Sequence, residues 1–275
     1  MAMVAALLTG CAAPAQTIET EMMSAGTNLT IFCFQAGKAD AFLLYTESSA
    51  VLIDTGESGF GKTILAYMEA HGIEKLDYLI ITHFDKDHVG GAKKILESLD
   101  VGTVLQSNCP KDASAYNKYT AALDALGMSA VTLREELTFT LDGVTYTVNP
   151  PAQERYAEDE SNNSSLIVSV MNGQNRLLFA ADAEDARLTE FLAGNPGHYD
   201  FLKLPYHGHW LDTLPALIKA VSPKYAVVTS SDEEPEDEKT SDLLAQYGVE
   251  SYLTRTNAVT IHSDGTTLMV QYAAE

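Results

Sequence analysis

From residue 28 onward the apolar positions fall into short, closely spaced runs. Asn28 to Phe34 and Ala41 to Tyr45 alternate or run apolar with Gly37 between them, and Ala50 to Ile53 follows. This pattern predicts three strands joined by tight turns. The spacing becomes helical from Gly61 to His71 and stops at Gly72. Tyr78 to Ile81 reads as a short buried strand that delivers Thr82 to Gly91 into a loop, and Ala92 to Leu99 reads as the next helix. The second half repeats the logic. Strands are expected near Thr138 to Thr140, Thr145 to Asn149, Leu166 to Met171 and Arg176 to Ala180, then a helix from Ala186 to Leu192. Phe201 to Leu204 and Tyr225 to Thr229 are further strands. Strand runs followed by helices in each half imply an α/β fold of two mixed sheets packed together, with helices outside. No internal repeat or linker divides residues 28–275, so they read as one domain.

Composition narrows the classes. At 275 residues and 46% hydrophobic content the chain can bury a large core. It has no run of 18 or more apolar residues that would read as a bilayer-spanning helix. The formal charge of −21, from 38 acidic against 17 basic residues, repels polyanions over the surface as a whole. High-affinity nucleic-acid binding through bulk charge is therefore not expected.

Residues 1–27 read separately. Apolar Met1 to Leu8 leads into Leu8-Thr9-Gly10-Cys11 and a polar stretch from Ala12 to Thr27, which resembles the lipobox of bacterial lipoprotein signal peptides. The resemblance implies a lipid on Cys11, a tether to a membrane, and a protein at the bacterial cell surface, anchored or secreted. The remaining Cys33 and Cys109 could pair in an oxidising compartment, but they read more simply as buried free thiols.

Candidate chemistry concentrates at His83, Asp85, Asp87 and His88, four potential ligands within six residues at the end of an apolar strand. Such groups cost free energy when buried without partners. A divalent cation satisfies several at once, and Gly90-Gly91 would let the backbone pass close to it. The alternative is a solvated acidic loop.

Thr82-His83-Phe84-Asp85-Lys86-Asp87-His88-Val89-Gly90-Gly91 resembles the metal motif of the metallo-β-lactamase superfamily, in the variant with aspartate for the second histidine. That variant is typical of the hydrolase domain of the competence DNA-uptake protein family. Further segments are similar to that family in order: Gly37-Lys38-Ala39-Asp40-Ala41, Leu52 to Gly56, Asn163 to Leu166, Phe179 to Asp182 and Lys203 to Gly208. The resemblance implies the αββα sandwich with metals at one edge. It assigns one metal to His83, Asp85 and Asp182, and the other to Asp87, His88 and His207, with Asp182 bridging. Two such ions lie about 3.5–4 Å apart and share a hydroxide nucleophile, while one acts as Lewis acid. Asp85 in place of imidazole makes the first position harder and favours Mn²⁺ or Mg²⁺, with Zn²⁺ also suitable.

Supporting roles are implied for others. Asp54 would hold a ligand histidine from behind, or simply stabilise its turn. Lys203 would place positive charge near a substrate anion, or be a solvated lysine. His209 would give a proton to the leaving group, alongside the hydroxide positioned at Asp87, or be a surface side chain. The chain also departs from its relatives. Tyr206 and His209 stand where those often carry histidine and serine, and the acidic loop Asp232 to Glu238 replaces a tyrosine-glycine-histidine-proline segment. That loop is either a solvated turn or a selector against nucleic-acid backbones.

Three functions fit these residues. A metal-dependent phosphodiesterase acting on a nucleic acid or nucleotide comes first, then a hydrolase of an ester, thioester or lactam, then a surface-binding lipoprotein without turnover. The Cys11 reading has a direct test. Expressed behind an intact secretion signal, the protein should partition into detergent and incorporate palmitate, whereas Cys11→Ser should do neither; equal labelling of both would remove the lipid anchor.

Overall fold

The computed structural model describes residues 26–274, so the segment around Cys11 lies outside the described residues. The first half of the chain supplies β1 (Leu29–Cys33), β2 (Phe42–Tyr45), β3 (Ala50–Ile53), β4 (Lys75–Ile81), β5 (Asp100–Gln106) and β6 (Val131–Thr132). The second half supplies β7 (Leu137–Leu141), β8 (Val144–Asn149), β9 (Ile167–Asn172), β10 (Asn175–Phe179), β11 (Phe201–Lys203), β12 (Tyr225–Val228) and β13 (Glu250–Leu253). A final hairpin, β14 (Val259–Ser263) and β15 (Leu268–Tyr272), returns to the first sheet. The eight-stranded sheet has the order β15-β14-β1-β2-β3-β4-β5-β6, and the seven-stranded one β13-β12-β11-β10-β9-β8-β7.

Strand β2 shows why the layers form. Phe42 and Leu44 point between the sheets, where they join Val51, Ile53, Val144, Val148 and Phe179 in one buried cluster. Leu43 points the other way, into a second cluster under the helices. Strands covered on both faces must be apolar at nearly every position, and β3 is buried throughout.

Helices α1 (Gly61–Ala70), α2 (Lys86–Val89), α3 (Ala92–Leu96) and α4 (Ser114–Leu126) follow strands of the first sheet. Ile64, Met68, Ile95, Tyr119 and Leu123 press on its outer face. The short α5 (Glu160–Asn163) precedes β9, and α6 (Asp185–Ala193), α7 (Leu214–Val221) and α8 (Glu238–Gln246) serve the second sheet. There Leu188, Leu214, Ile218 and Leu244 pack on Leu178, Leu202 and Val228. The result is the expected αββα sandwich.

Three details differ from the pattern reading. The segment after β4 is not all loop, because Lys86–Val89 winds into α2. The helix expected from Ala92 to Leu99 is regular only to Leu96. Cys33 is a buried free thiol as expected, while the free Cys109 is only partly buried. No helix among the described residues is long and apolar enough to cross a membrane.

Parallel pairing sets the location of the chemistry. β3 pairs parallel with β4, and β10, β11 and β12 pair parallel with one another. Their carboxyl ends therefore open on the same edge of each sheet, and ligands gather at the carboxyl ends of parallel strands.

Candidate metal centre

Most polar residues of the centre follow one of those strand ends, the exceptions being Asp40 before β2 and Lys203 within β11. Asp54 follows β3, Thr82 and His83 follow β4, Asp182 comes shortly after β10, His207 after β11, and Thr229 directly after β12. The backbone is pinned where it matters. The His88 carbonyl accepts both Thr55 N–H at 2.7 Å and Thr55 Oγ1 at 2.8 Å, and the Asp87 carbonyl accepts Asp40 N–H at 3.1 Å. These bonds hold α2 against the loop after β3. The close approach that Gly90-Gly91 permits is to this same loop: a Cβ on Gly91 would lie 2.3 Å from the Thr55 carbonyl oxygen, and one on Gly90 2.5 Å from Ser58 N.

Several site residues have left-handed backbones. Asp54, Ala181, Tyr206 and His207 have φ of 56°, 49°, 48° and 53°, a region costing roughly 1–2 kcal/mol per non-glycine residue. Gly208 follows at φ 81°, where a Cβ would meet Val228 Cγ1 at 2.6 Å. Such strain persists only where surrounding structure over-determines it. Here Ala181 O accepts Tyr206 N–H at 3.2 Å and Lys203 Nζ at 2.9 Å, tying the Asp182 turn to the His207 turn.

Asp87, His88, Asp182 and His207 offer ligand atoms that all lie within 4.8 Å of one another. Asp182 Oδ2 is 2.9 Å from His207 Nε2 and 3.2 Å from His88 Nε2. Yet both Nε2 atoms, like His83 Nε2 and Asp182 Oδ1, are buried without a hydrogen-bond partner.

The other ring nitrogens explain why. His88 Nδ1 donates to Asp54 Oδ2 at 2.8 Å. Thr229 Oγ1 gives its proton to Asp40 Oδ1 at 2.7 Å, so it accepts from His207 Nδ1 at 3.0 Å. Thr82 Oγ1 likewise donates to Asp54 at 2.6 Å and accepts from His83 Nδ1 at 3.2 Å. With Nδ1 protonated in each neutral ring, Nε2 carries a lone pair. Lone pairs of the His88 and His207 imidazoles converging with the Asp87 and Asp182 carboxylates are the donor set of a cation site, and the residues fit a divalent ion.

Charge agrees. Asp40, Asp54 and Asp182 are buried carboxylates, and Lys203 is the buried ammonium among them. With the Asp87 carboxylate beside them, the negative groups outnumber the one buried ammonium, and a divalent ion would offset that excess. Without a metal, protons must serve instead. Burial opposes charge on His88, but the Asp182 and Asp54 carboxylates outweigh it and hold the imidazolium well above the usual histidine range. Burial likewise opposes charge on Asp182, and His207 and His88 hold it well below the usual carboxylate range. Burial and the neighbouring His88 pull His83 down to about 3.

The residues singled out in the sequence divide into three groups. Asp87, His88, Asp182 and His207 converge, and His83 lies beside them with its ring 4.0 Å from that of His88. Asp54 stands behind His88 as expected. Asp85, Lys203 and His209 are placed otherwise. Asp85 is outside the cluster: Lys111 Nζ lies 2.5 Å from its Oδ1, and Ser161 Oγ donates to the same oxygen. The convergent set of two imidazoles and two carboxylates suits Mn²⁺ and Zn²⁺ alike.

Lys203 is neither solvated nor turned to a substrate. It is fully buried, with Nζ 2.5 Å from Asp40 Oδ2 and 3.6 Å from Asp182 Oδ1, because β11 is a central strand. His209 is partly exposed on the rim, its ring 5.1 Å from Tyr206 and Nδ1 3.9 Å from Asp237 Oδ1.

Asp40, Thr229 and Glu184 gain no role from the sequence alone. Asp40 falls inside one of the family-like segments, but nothing in one dimension shows that it meets Lys203. Asp40, Asp54 and His88 also lie within 4.8 Å of each other, but the ammonium of Lys203 already serves as the cation there. Burial, helped by nearby Asp159, pushes the Glu184 carboxyl up to about 7.

The acidic loop is anchored rather than freely solvated. Glu236 binds Arg255 at 3.1 Å and accepts Ser230 Oγ at 2.8 Å, and Asp237 accepts Trp210 N–H at 2.6 Å. It packs against the turn that carries His207, through the Asp237 N–H bond to Gly208 O at 3.1 Å.

Known proteins resemble this chain in sequence and fold. Residues 35–230 match the profile of the metallo-β-lactamase superfamily. Recombination protein 2 of Haemophilus influenzae is 28% identical over 200 residues, covering 70% of this chain and 23% of that protein. Competence protein ComA of Neisseria gonorrhoeae is 27% identical over 201 residues, covering 72% and 26%. The chain thus spans about a quarter of the length of these relatives. Among solved structures, the metallo-β-lactamase fold protein YhfI of Bacillus subtilis superposes with a TM-score of 0.57 at 12% identity, over 86% of this chain and 100% of that one.

The proton that replaces the metal gives a test with a defined sign. In chelator-treated protein, His88 has a folded-state pKa above its unfolded value of about 6.5. Its stabilisation is complete below that value and is lost as pH rises through the folded pKa. Metal binding needs the same nitrogen unprotonated. As pH rises above the unfolded value of about 6.5, the thermal midpoint of metal-free protein should fall while that of metal-loaded protein holds or rises. His88→Gln should flatten the metal-free trend; a metal-free midpoint that climbs across this window would contradict the assignment.

Proposed function

The chain belongs to the metallo-β-lactamase superfamily and is a metal-dependent hydrolase; on that premise we propose that its substrates are phosphodiesters. The observation that carries this reading is the motif Thr82 to Gly91 with its aspartates. It supplies Asp87 and His88 to the centre, and the chain's similarity extends over some 70% of its length to recombination and competence proteins. Those relatives support a phosphodiester over a carboxylic ester or lactam.

A divalent ion in such a centre supplies Lewis acidity toward a phosphoryl oxygen and lowers the pKa of water to about 7. Everything else falls to the chain. Asp87, His88, Asp182 and His207 fix the position of that charge at the rim of the sandwich. Asp54 and the Thr229–Asp40 pair fix the imidazole tautomers, so Nε2 faces inward without reorganisation. His209 on the rim and Glu184, whose carboxyl burial pushes up to about 7, can protonate a leaving oxygen.

Length of substrate is set by charge. The anchored loop from Asp232 to Glu238 presents exposed Glu233 and Glu234 beside the His207 turn, and the whole chain carries −21. Short phosphodiesters meet less repulsion there than a long duplex. On the reading of Cys11 as a lipidated residue, this hydrolysis takes place at a membrane surface.

Purified protein loaded with Mn²⁺ or Zn²⁺ should hydrolyse bis-p-nitrophenyl phosphate faster than it degrades plasmid DNA, and should leave nitrocefin intact. Removing a partner behind a metal ligand typically costs 10–100-fold, so Asp87→Ala, which removes a ligand, should lower the rate by more than about a hundredfold. Turnover of nitrocefin without phosphodiester cleavage would replace the phosphodiester reading with the lactam one.

A further inference from the structure

Asp85 stands apart from the cluster because two other segments hold it. Lys111 lies on the connection between β5 and α4, and Ser161 lies in α5. Both reach the same oxygen, Asp85 Oδ1, the ammonium at 2.5 Å. Lys111 Nζ is also 3.3 Å from Ser161 Oγ, closing a three-membered clasp.

His83, two residues before Asp85 in the chain, has its Nε2 buried without a partner. His83 and Asp85 are the pair that a second ion would need, yet no group containing both with Asp182 closes within 4.8 Å among the described residues. The clasp is partly open to water, with the Lys111 side chain 41% and that of Asp85 27% exposed. An ammonium on a long, half-exposed stem can leave without disturbing the fold.

We infer that Lys111 is a built-in cation that governs how many metal ions the centre holds. With its ammonium on Asp85, only the position formed by Asp87, His88, Asp182 and His207 binds tightly. The His83–Asp85 position fills when Lys111 is displaced. An ammonium and a divalent ion beside one carboxylate repel each other, and the repulsion is strongest where burial excludes water. The inference rests on the reading of the four-residue cluster as a metal site.

Equilibrium dialysis against graded free Mn²⁺, followed by quantification of protein-bound manganese, tests it on wild type, Lys111→Met, Lys86→Met and Asp85→Asn. Lys86 adjoins Asp85 in sequence but pairs with Glu57 at 3.3 Å on the surface, so its variant controls for mere loss of positive charge. Wild type and Lys86→Met should bind one equivalent tightly and a second only weakly. Lys111→Met should take up the second at a free Mn²⁺ concentration lower by about tenfold or more. Asp85→Asn should lack the second equivalent while keeping the first. The inference is overturned if second-ion affinity in Lys111→Met equals or falls below that of wild type, or if Lys86→Met shifts it as much. Wild type that binds no Mn²⁺ at all would instead overturn the metal reading of the cluster.

Discussion

The Nε2 atoms of His88 and His207 and the carboxylates of Asp87 and Asp182 face one another inside the sandwich edge, with the His83 ring beside them, and the rest of the structure is arranged around keeping them so. Each Nδ1 is committed to an acceptor: His88 to Asp54, His207 to Thr229 and His83 to Thr82. Committing Nδ1 fixes the tautomer and aims Nε2. The acceptors are themselves buried, so Asp40 and Asp54 bring negative charge into the interior. Buried carboxylates are costly unless paired. Lys203 compensates one of them, and the remainder attracts a cation to the point where the lone pairs converge.

That electrostatic demand falls on a backbone able to bear it. Asp54, Ala181, Tyr206 and His207 are all left-handed, and each lies just beyond a parallel strand whose ladder is buried on both faces. The sheets anchor the strand ends, and cross-links between the turns, such as Ala181 O with Tyr206 N and Lys203 Nζ, hold them in register. The hydrophobic clusters between and outside the sheets provide stability that does not depend on the centre. Strain and charge can therefore be concentrated at one edge without loss of the fold.

Much of this was legible in one dimension. Near-continuous apolar runs at 50–53, 78–81 and 201–204 marked doubly covered strands, and the polar residues directly after them marked the site, because chain direction alone puts those ends together once the strands pair in parallel. His83, Asp87 and His88 stood out by that position, whereas Asp182 and His207 entered through the resemblance to the metallo-β-lactamase motifs. What remained hidden depends on long-range encounters. Asp40 and Lys203 are far apart in the chain, and nothing local distinguishes a lysine buried against an aspartate from one in water. Asp85 looked like its neighbours in the motif, and only the arrival of Lys111 and Ser161 from separate segments sets it aside. The terminal hairpin that pairs β14 with β1 was likewise unreadable, since strand order is fixed by packing rather than by pattern.

The central claim is that the inward-facing Nε2 atoms and Asp182 share one cation. Crystals grown with Zn²⁺ and measured at the zinc absorption edge test it most directly. The account predicts an anomalous peak about 2.0–2.2 Å from His88 Nε2, His207 Nε2 and an Asp182 oxygen, with Asp54 and Thr229 still bonded to the opposite ring nitrogens. A protein that binds zinc with its strongest peak elsewhere, or through Nδ1 of either histidine, would contradict it.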